Sequence, residues 1–180
     1  MGQFTGYEVV IDTSISGSEK FRMPFVVRKG EASKKIKLNM SKEDFSKLTD
    51  LALLILDKDG YQIESDALSY SEGSISIPNT SDNDSTEYIF EIVPGFAFES
   101  SSADIQLTEI TTFKADYVFD VSSERKSSVT LYPSLPKQLQ INFTIPNEFF
   151  PENSQPTGKI LFESASSKKT EYELPIKFKF

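Results

Sequence analysis

The sequence predicts an all-β protein of two packed β-sandwiches, over about residues 1–100 and 103–180. Three observations lead there. Apolar residues alternate with polar ones at period two along most of the chain, the mark of half-buried strands. Clusters of Ser, Gly, Asn, Asp and Pro separate the alternating runs at sandwich-like spacing. The charge balance also shifts near residue 110: residues 1–112 carry 10 basic and 19 acidic side chains, and residues 113–180 carry 9 and 8. The serine-rich Glu99–Ala103 stretch is the expected linker.

In order, Tyr7, Val9 and Ile11 alternate with Glu8 and Asp12. Phe21, Met23, Phe25 and Val27 share a face, and Pro24 on the opposite one marks an edge strand. Ile36, Leu38 and Met40 alternate with Lys35, Lys37 and Asn39, and the Lys34–Lys37 cluster reads as a solvent face. Ser41 followed by Asp44 resembles a capping box for at most two helical turns. Leu51–Leu56 is apolar on both faces, as a strand covered on both sides would be. Ile75 and Ile77 follow, then Tyr88, Phe90 and Ile92. The second half opens with Ile105 and Leu107, continues through Tyr117–Val121, Val129–Leu131 and Leu139–Ile145, and closes with Ile160–Phe162 and Leu174–Phe180.

Composition excludes several chemistries. The chain has no Cys, His or Trp, which removes disulfides, histidine triads, cysteine nucleophiles and the usual zinc sites. A net charge of −8 disfavours nucleic acid as a partner. The longest apolar run, Leu51–Leu56, is far short of the ~18 residues of a membrane span. Met1-Gly2-Gln3 carries no signal-peptide pattern. No Gly-x-Ser-x-Gly elbow occurs, so the expectation is a non-catalytic chain.

Asp50-Leu-Ala-Leu-Leu-Ile-Leu-Asp-Lys-Asp-Gly60, the segment Ser69–Ile77 and the strand Glu87–Val93 together resemble the bacterial pre-peptidase C-terminal domain, over about residues 15–98. A Gly usual before the tyrosine strand is replaced here by Asp84-Ser85-Thr86. Residues 103–180, with Pro156-Thr157-Gly158 before a late strand, resemble immunoglobulin-like domains appended to secreted bacterial hydrolases. The resemblances imply a jelly-roll-like sandwich followed by an immunoglobulin-like one. They also imply a non-catalytic accessory module of a secreted, extracellular or cell-surface protein, with a subtilisin-like or other peptidase as parent. Its partner would be the parent catalytic domain or another extracellular protein. The alternative is a module that binds polysaccharide or matrix and carries a calcium-stabilised loop.

Three sets of residues are candidates for contact chemistry. Asp57 and Asp59 beside Gly60, and Asp82 and Asp84, offer the hard oxygen ligands that calcium takes. The simpler reading of Asp57–Gly60 is a hairpin turn with Gly60 left-handed, and no other cofactor is expected. Tyr61, Tyr70 and Tyr132 lie near loops and could stack on sugars, or tuck over the core edge. Phe149 and Phe150 are adjacent and cannot both point inward on a strand; one reading is a partner contact, the other a cap on the sandwich end.

Overall fold

A computed structural model describes residues 2–17, 19–80, 85–98, 100–114, 150–164, 166–167 and 169–178. The expected strands at 117–121, 129–131 and 139–145 lie outside these residues. The described elements are β1 (Gly2–Ser16), β2 (Phe21–Val27), β3 (Glu31–Met40), α1 (Lys42–Phe45), β4 (Leu48–Asp57), β5 (Gln62–Ala67), β6 (Glu72–Pro78), β7 (Thr86–Phe96), β8 (Ser102–Phe113), β9 (Gln155–Glu163) and β10 (Thr170–Lys177). They form an antiparallel all-β sandwich, with one sheet in the order β10-β9-β1-β8-β3-β6 and the other in the order β2-β7-β4-β5.

Within these orders, β1-β8-β3-β6 facing β2-β7-β4-β5 is the arrangement of an eight-stranded jelly roll. The alternating faces explain it. Ile36 and Leu38 of β3 and Leu107 of β8 meet Leu51, Leu53 and Ile55 of β4 and Phe90 and Ile92 of β7 in one continuous core. At Ser41 the chain turns between sheets. The Ser41 hydroxyl accepts from the Asp44 backbone N–H at 3.0 Å and caps the four-residue α1, as the capping pattern predicts.

The boundary expected between residues 100 and 103 falls inside this sandwich. β8 supplies the eighth jelly-roll strand, lying between β1 and β3, and Ala97–Ser101 is its connection from β7. Serine-rich composition marks a turn here and not a linker. The jelly roll ends at Phe113, close to where the charge balance shifts. β9 and β10 then extend the same sheet from β1, with Gly2 opposite Ile160 and Glu8 opposite Gln155. Where β1 bulges between Phe4 and Gly6, a Cβ on Gly6 would stand 1.9 Å from the Thr111 carbonyl oxygen, so only glycine fits.

Edges are guarded in different ways. Pro24 does lie on an edge strand, β2, and Pro175 on another, β10. On edge strand β5, Glu64 and Asp66 stand opposite Ile55 and Leu53, whose side chains face the core. Inward-pointing acids at an edge oppose pairing with a further strand.

Two readings of strand faces are corrected. Lys34 does not belong to the solvent face of β3: it is 3% exposed and shares the inward parity of Ile36 and Leu38. Leu51–Leu56 is not covered evenly on its two faces: Leu51, Leu53 and Ile55 are fully buried in the core, and on the other face Leu56 is buried while Ala52 and Leu54 are only half-buried.

Candidate functional site

Local backbone chemistry builds the acidic β4–β5 turn. One carboxylate oxygen of Asp57 accepts from the backbone N–H groups of Asp59 (2.9 Å) and Tyr61 (2.8 Å). The Gly60 N–H donates to the Asp57 carbonyl at 3.0 Å, and Gly60 has φ +89°. Asp57 therefore organises the hairpin, which is the turn reading. Among the described residues no three acids gather into a metal-sized group. Asp82 and Asp84 lie outside the described residues.

Aromatic candidates divide. Phe150 turns its half-buried ring onto other aromatics of the sandwich. It packs edge-on against Phe4 with centroids 5.3 Å apart and against Tyr7 at 6.1 Å, and it touches Phe113 as well. The capping reading holds for it, because the inner side of β1 beyond the four-stranded sheet needs an apolar cover. Phe149 and Tyr132 lie outside the described residues. Tyr61 and Tyr70 are 72% and 75% exposed. They flank β5 at its two ends, roughly 20 Å apart for six extended residues, so the fold does not bring them into one stacking platform.

A buried polar cluster stands where the sandwich core meets this aromatic group. The Tyr7 hydroxyl donates to Glu31 Oε1 at 3.0 Å and accepts from Lys34 Nζ at 3.3 Å. Lys34 pairs with Glu109 and lies 3.9 Å from the Glu31 carboxylate, with its ammonium 5.4 Å from the Tyr7 ring centroid. The Arg28 backbone N–H closes the group on Glu31 Oε2 at 2.7 Å. Burial alone would lower the Lys34 pKa, but Glu109, aided by Tyr7 and Glu31, outweighs it and holds the ammonium above the ordinary lysine value. Burial pushes the Tyr7 phenol up, and Lys34 offsets part of that. The ionisable groups of this cluster are bonded to one another, which suits structure better than proton transfer to a substrate. Its signal in the sequence was the parity of Lys34 with Ile36; its partners on β1 and β8 could not be inferred locally.

Next to α1 a shallow groove of about 710 Å³ runs over the sheet, lined in part by Asp12, Asn39, Asp44 and Asp104. Two of its acids, Asp12 and Asp44, are engaged. Asp12 accepts from Gln106 at 2.9 Å, and Asp44 accepts from Lys47 and from the Ser41 hydroxyl, both at 2.7 Å. Those hydrogen bonds, Lys47 first, hold Asp44 below the usual carboxylate range. The β5–β6 and β7–β8 connections meet this end of the sandwich, since successive antiparallel strands return alternate connections to one end. They present Tyr70 and Phe98, the latter 74% exposed. Phe98 carried no alternation signal, because it lies in a connection.

No family model and no curated protein matches the sequence. Among solved structures, the chain is similar to PliG of Aeromonas hydrophila, a periplasmic lysozyme inhibitor of g-type lysozyme. Identity is 10% over 59% of this chain and 88% of that one, with a TM-score of 0.42. The structure of the infectious bursal disease virus Gx strain is also similar, at 10% identity over 65% of this chain and 32% of that one, with a TM-score of 0.29. Among the described residues, no helix is long and apolar enough to cross a membrane.

Proposed function

We propose that this region is a non-catalytic accessory or interaction module of an exported protein, extracellular or at the cell surface. The parent is a subtilisin-like or other peptidase, and the module positions or stabilises its catalytic domain. The observation that carries the reading is the loop end beside α1, where Tyr70 and Phe98 stand about three-quarters exposed on two separate connections. Exposed aromatics on loops held by a rigid sandwich are contact groups, worth most when a partner desolvates them. The resemblance to a pre-peptidase C-terminal domain supports the peptidase link, and its three elements fall on β4 with its turn, on β6 and on β7.

Comparing the exported polypeptide with and without this module tests the reading. Loss of the module, or the Y70A/F98A pair, is expected to lower the thermal stability or activity of the catalytic domain. An unchanged catalytic domain overturns it. The polysaccharide-binding alternative draws on the exposure of Tyr61 beside the acidic Asp57 turn. Saturable retention on insoluble polysaccharide, lost in Y61A, would establish that alternative.

A further inference from the structure

β5 ends the four-stranded sheet, and every residue along it is exposed. Among the described residues the other edge strands, β2, β6 and β10, carry Pro24, Pro78 and Pro175, whereas β5 has no proline. One bond fixes which way its backbone groups point. The Leu68 N–H donates to the Leu51 carbonyl at 2.8 Å, and in this register Asp66 opposite Leu53 and Glu64 opposite Ile55 repeat that direction. Ser65 and Ala67 therefore aim their N–H and C=O groups away from β4, into the open edge. Ser65 shows the result: its N–H donates to Glu64 Oε1 at 3.2 Å, a neighbouring side chain standing in for the carbonyl of a further strand. Charge along this edge has one sign. Residues 57–67 hold four acids, Asp57, Asp59, Glu64 and Asp66, and one base, Lys58. Among the described residues no Lys or Arg pairs with Glu64 or Asp66.

We propose that β5 is the docking edge for an extended basic segment of a partner protein, which adds to the sheet as a fifth strand. Its Lys or Arg side chains lie on the face of Glu64 and Asp66, and small or β-branched ones on the face of Ser65 and Ala67. Charge selects this occupant over a second copy. Two β5 edges paired antiparallel about Ser65 would set Glu64 of each opposite Asp66 of the other, between chains of net charge −8. The acids that turn away a like-charged strand admit a basic one. Ile63, the extra residue where β5 bulges between Gln62 and Glu64, is 51% exposed and adds an apolar contact at one end.

Titrating a labelled Lys-Val-Lys-Val-Lys-Val peptide with the whole chain tests this, by fluorescence anisotropy and by the amide NMR signals of the protein. The expected result is saturable binding with a Kd on the order of 100 µM, with amide shifts centred on Ser65 and Ala67. The Glu-Val counterpart should not bind. S65P removes one outward N–H and no bond to β4, so the chain should stay folded while binding weakens about tenfold or more. E64K/D66K changes two exposed side chains and should transfer the preference to the Glu-Val peptide. No binding of the basic peptide up to about 2 mM overturns the proposal. Equal affinity of S65P and the parent overturns it too, because the peptide would then be held by general charge and not by the edge.

Discussion

Glu91 of β7 stands directly opposite Arg22 of β2, and its carboxylate, 2% exposed, accepts from Arg22 at 2.6 Å and from Lys20 at 2.9 Å. The anion lies on the outer side of the sheet, opposite in parity to Phe90 and Ile92, and the two cations close over it. Burial would raise its pKa, but the hydrogen bonds from Lys20 and Arg22 outweigh that and bring it below the ordinary 4.5. A carboxylate lowered in the folded state stabilises the protein above its unfolded pKa and loses that contribution as pH falls through the folded value. Urea midpoints should therefore drop below about pH 4.5, and E91Q should flatten that part of the profile. R22M, which leaves the buried carboxylate with Lys20 alone, should cost about 1–3 kcal/mol at neutral pH.

Lys34 is the hub of the interior cluster. Replacing it with Met leaves the Glu31 and Glu109 carboxylates without their cation, and K34M should destabilise the fold by about 3–5 kcal/mol. K34M/E109Q should recover part of that loss, because it removes one of the two unpaired charges. Urea unfolding of the three chains at neutral pH measures both differences. The pKa of Lys34 is raised, so its stabilisation is complete below the unfolded value of 10.5 and fades only as pH climbs through the folded one.

The Asp57 turn gives a cheap discrimination between hairpin and ion site. Asn can accept the same two backbone hydrogen bonds, so D57N should stay within about 0.5 kcal/mol of the parent, whereas D57A should lose about 1 kcal/mol. G60A should cost about 1–2 kcal/mol for placing a side chain at positive φ, with no steric part, since nothing lies within 4 Å of the new Cβ. Thermal unfolding with millimolar calcium and with a chelator should coincide for the parent and for D57N. A rise of several degrees on adding calcium, lost in D57N, would instead make the turn a metal site.

Phe150 tests how the inner side of β1 is covered. F150A removes a half-buried ring from the Phe4–Tyr7–Phe113 group and should cost about 2 kcal/mol, while F4A, from a buried site, should cost about 3–5 kcal/mol. Calorimetry of both variants settles the order. Equal stability of F150A and the parent would mean that the ring contributes no packing there.

Much of the jelly roll was legible from alternation, and its turns from local chemistry. Pro24 identified an edge, Ser41 a cap and Asp57–Gly60 a hairpin, because each acts on backbone groups within a few residues. β5 escaped notice: Gln62–Ala67 is exposed throughout and pairs through its backbone without burying an apolar face. The ion pairs Lys34–Glu109 and Arg22–Glu91 join strands far apart in sequence, and nothing local couples them. The division of the chain was misplaced for a related reason. Serine content reports the solvation of a connection, whereas membership of a sheet depends on which strand finds which partner, and β8 finds β1 and β3.

β1 sits between β8 and β9, so it is completed by a strand that follows it much later in the chain. On a ribosome, Gly2–Glu8 waits for Gln155–Ile160 to emerge before its second ladder can form. Until then one edge of a fifteen-residue strand is open to the wrong neighbour. Such long-range closure slows folding, because loop entropy is lost before the pairing is gained. Chains released early should therefore be the ones that aggregate, and a holdase that masks β1 during synthesis would raise the yield of folded protein.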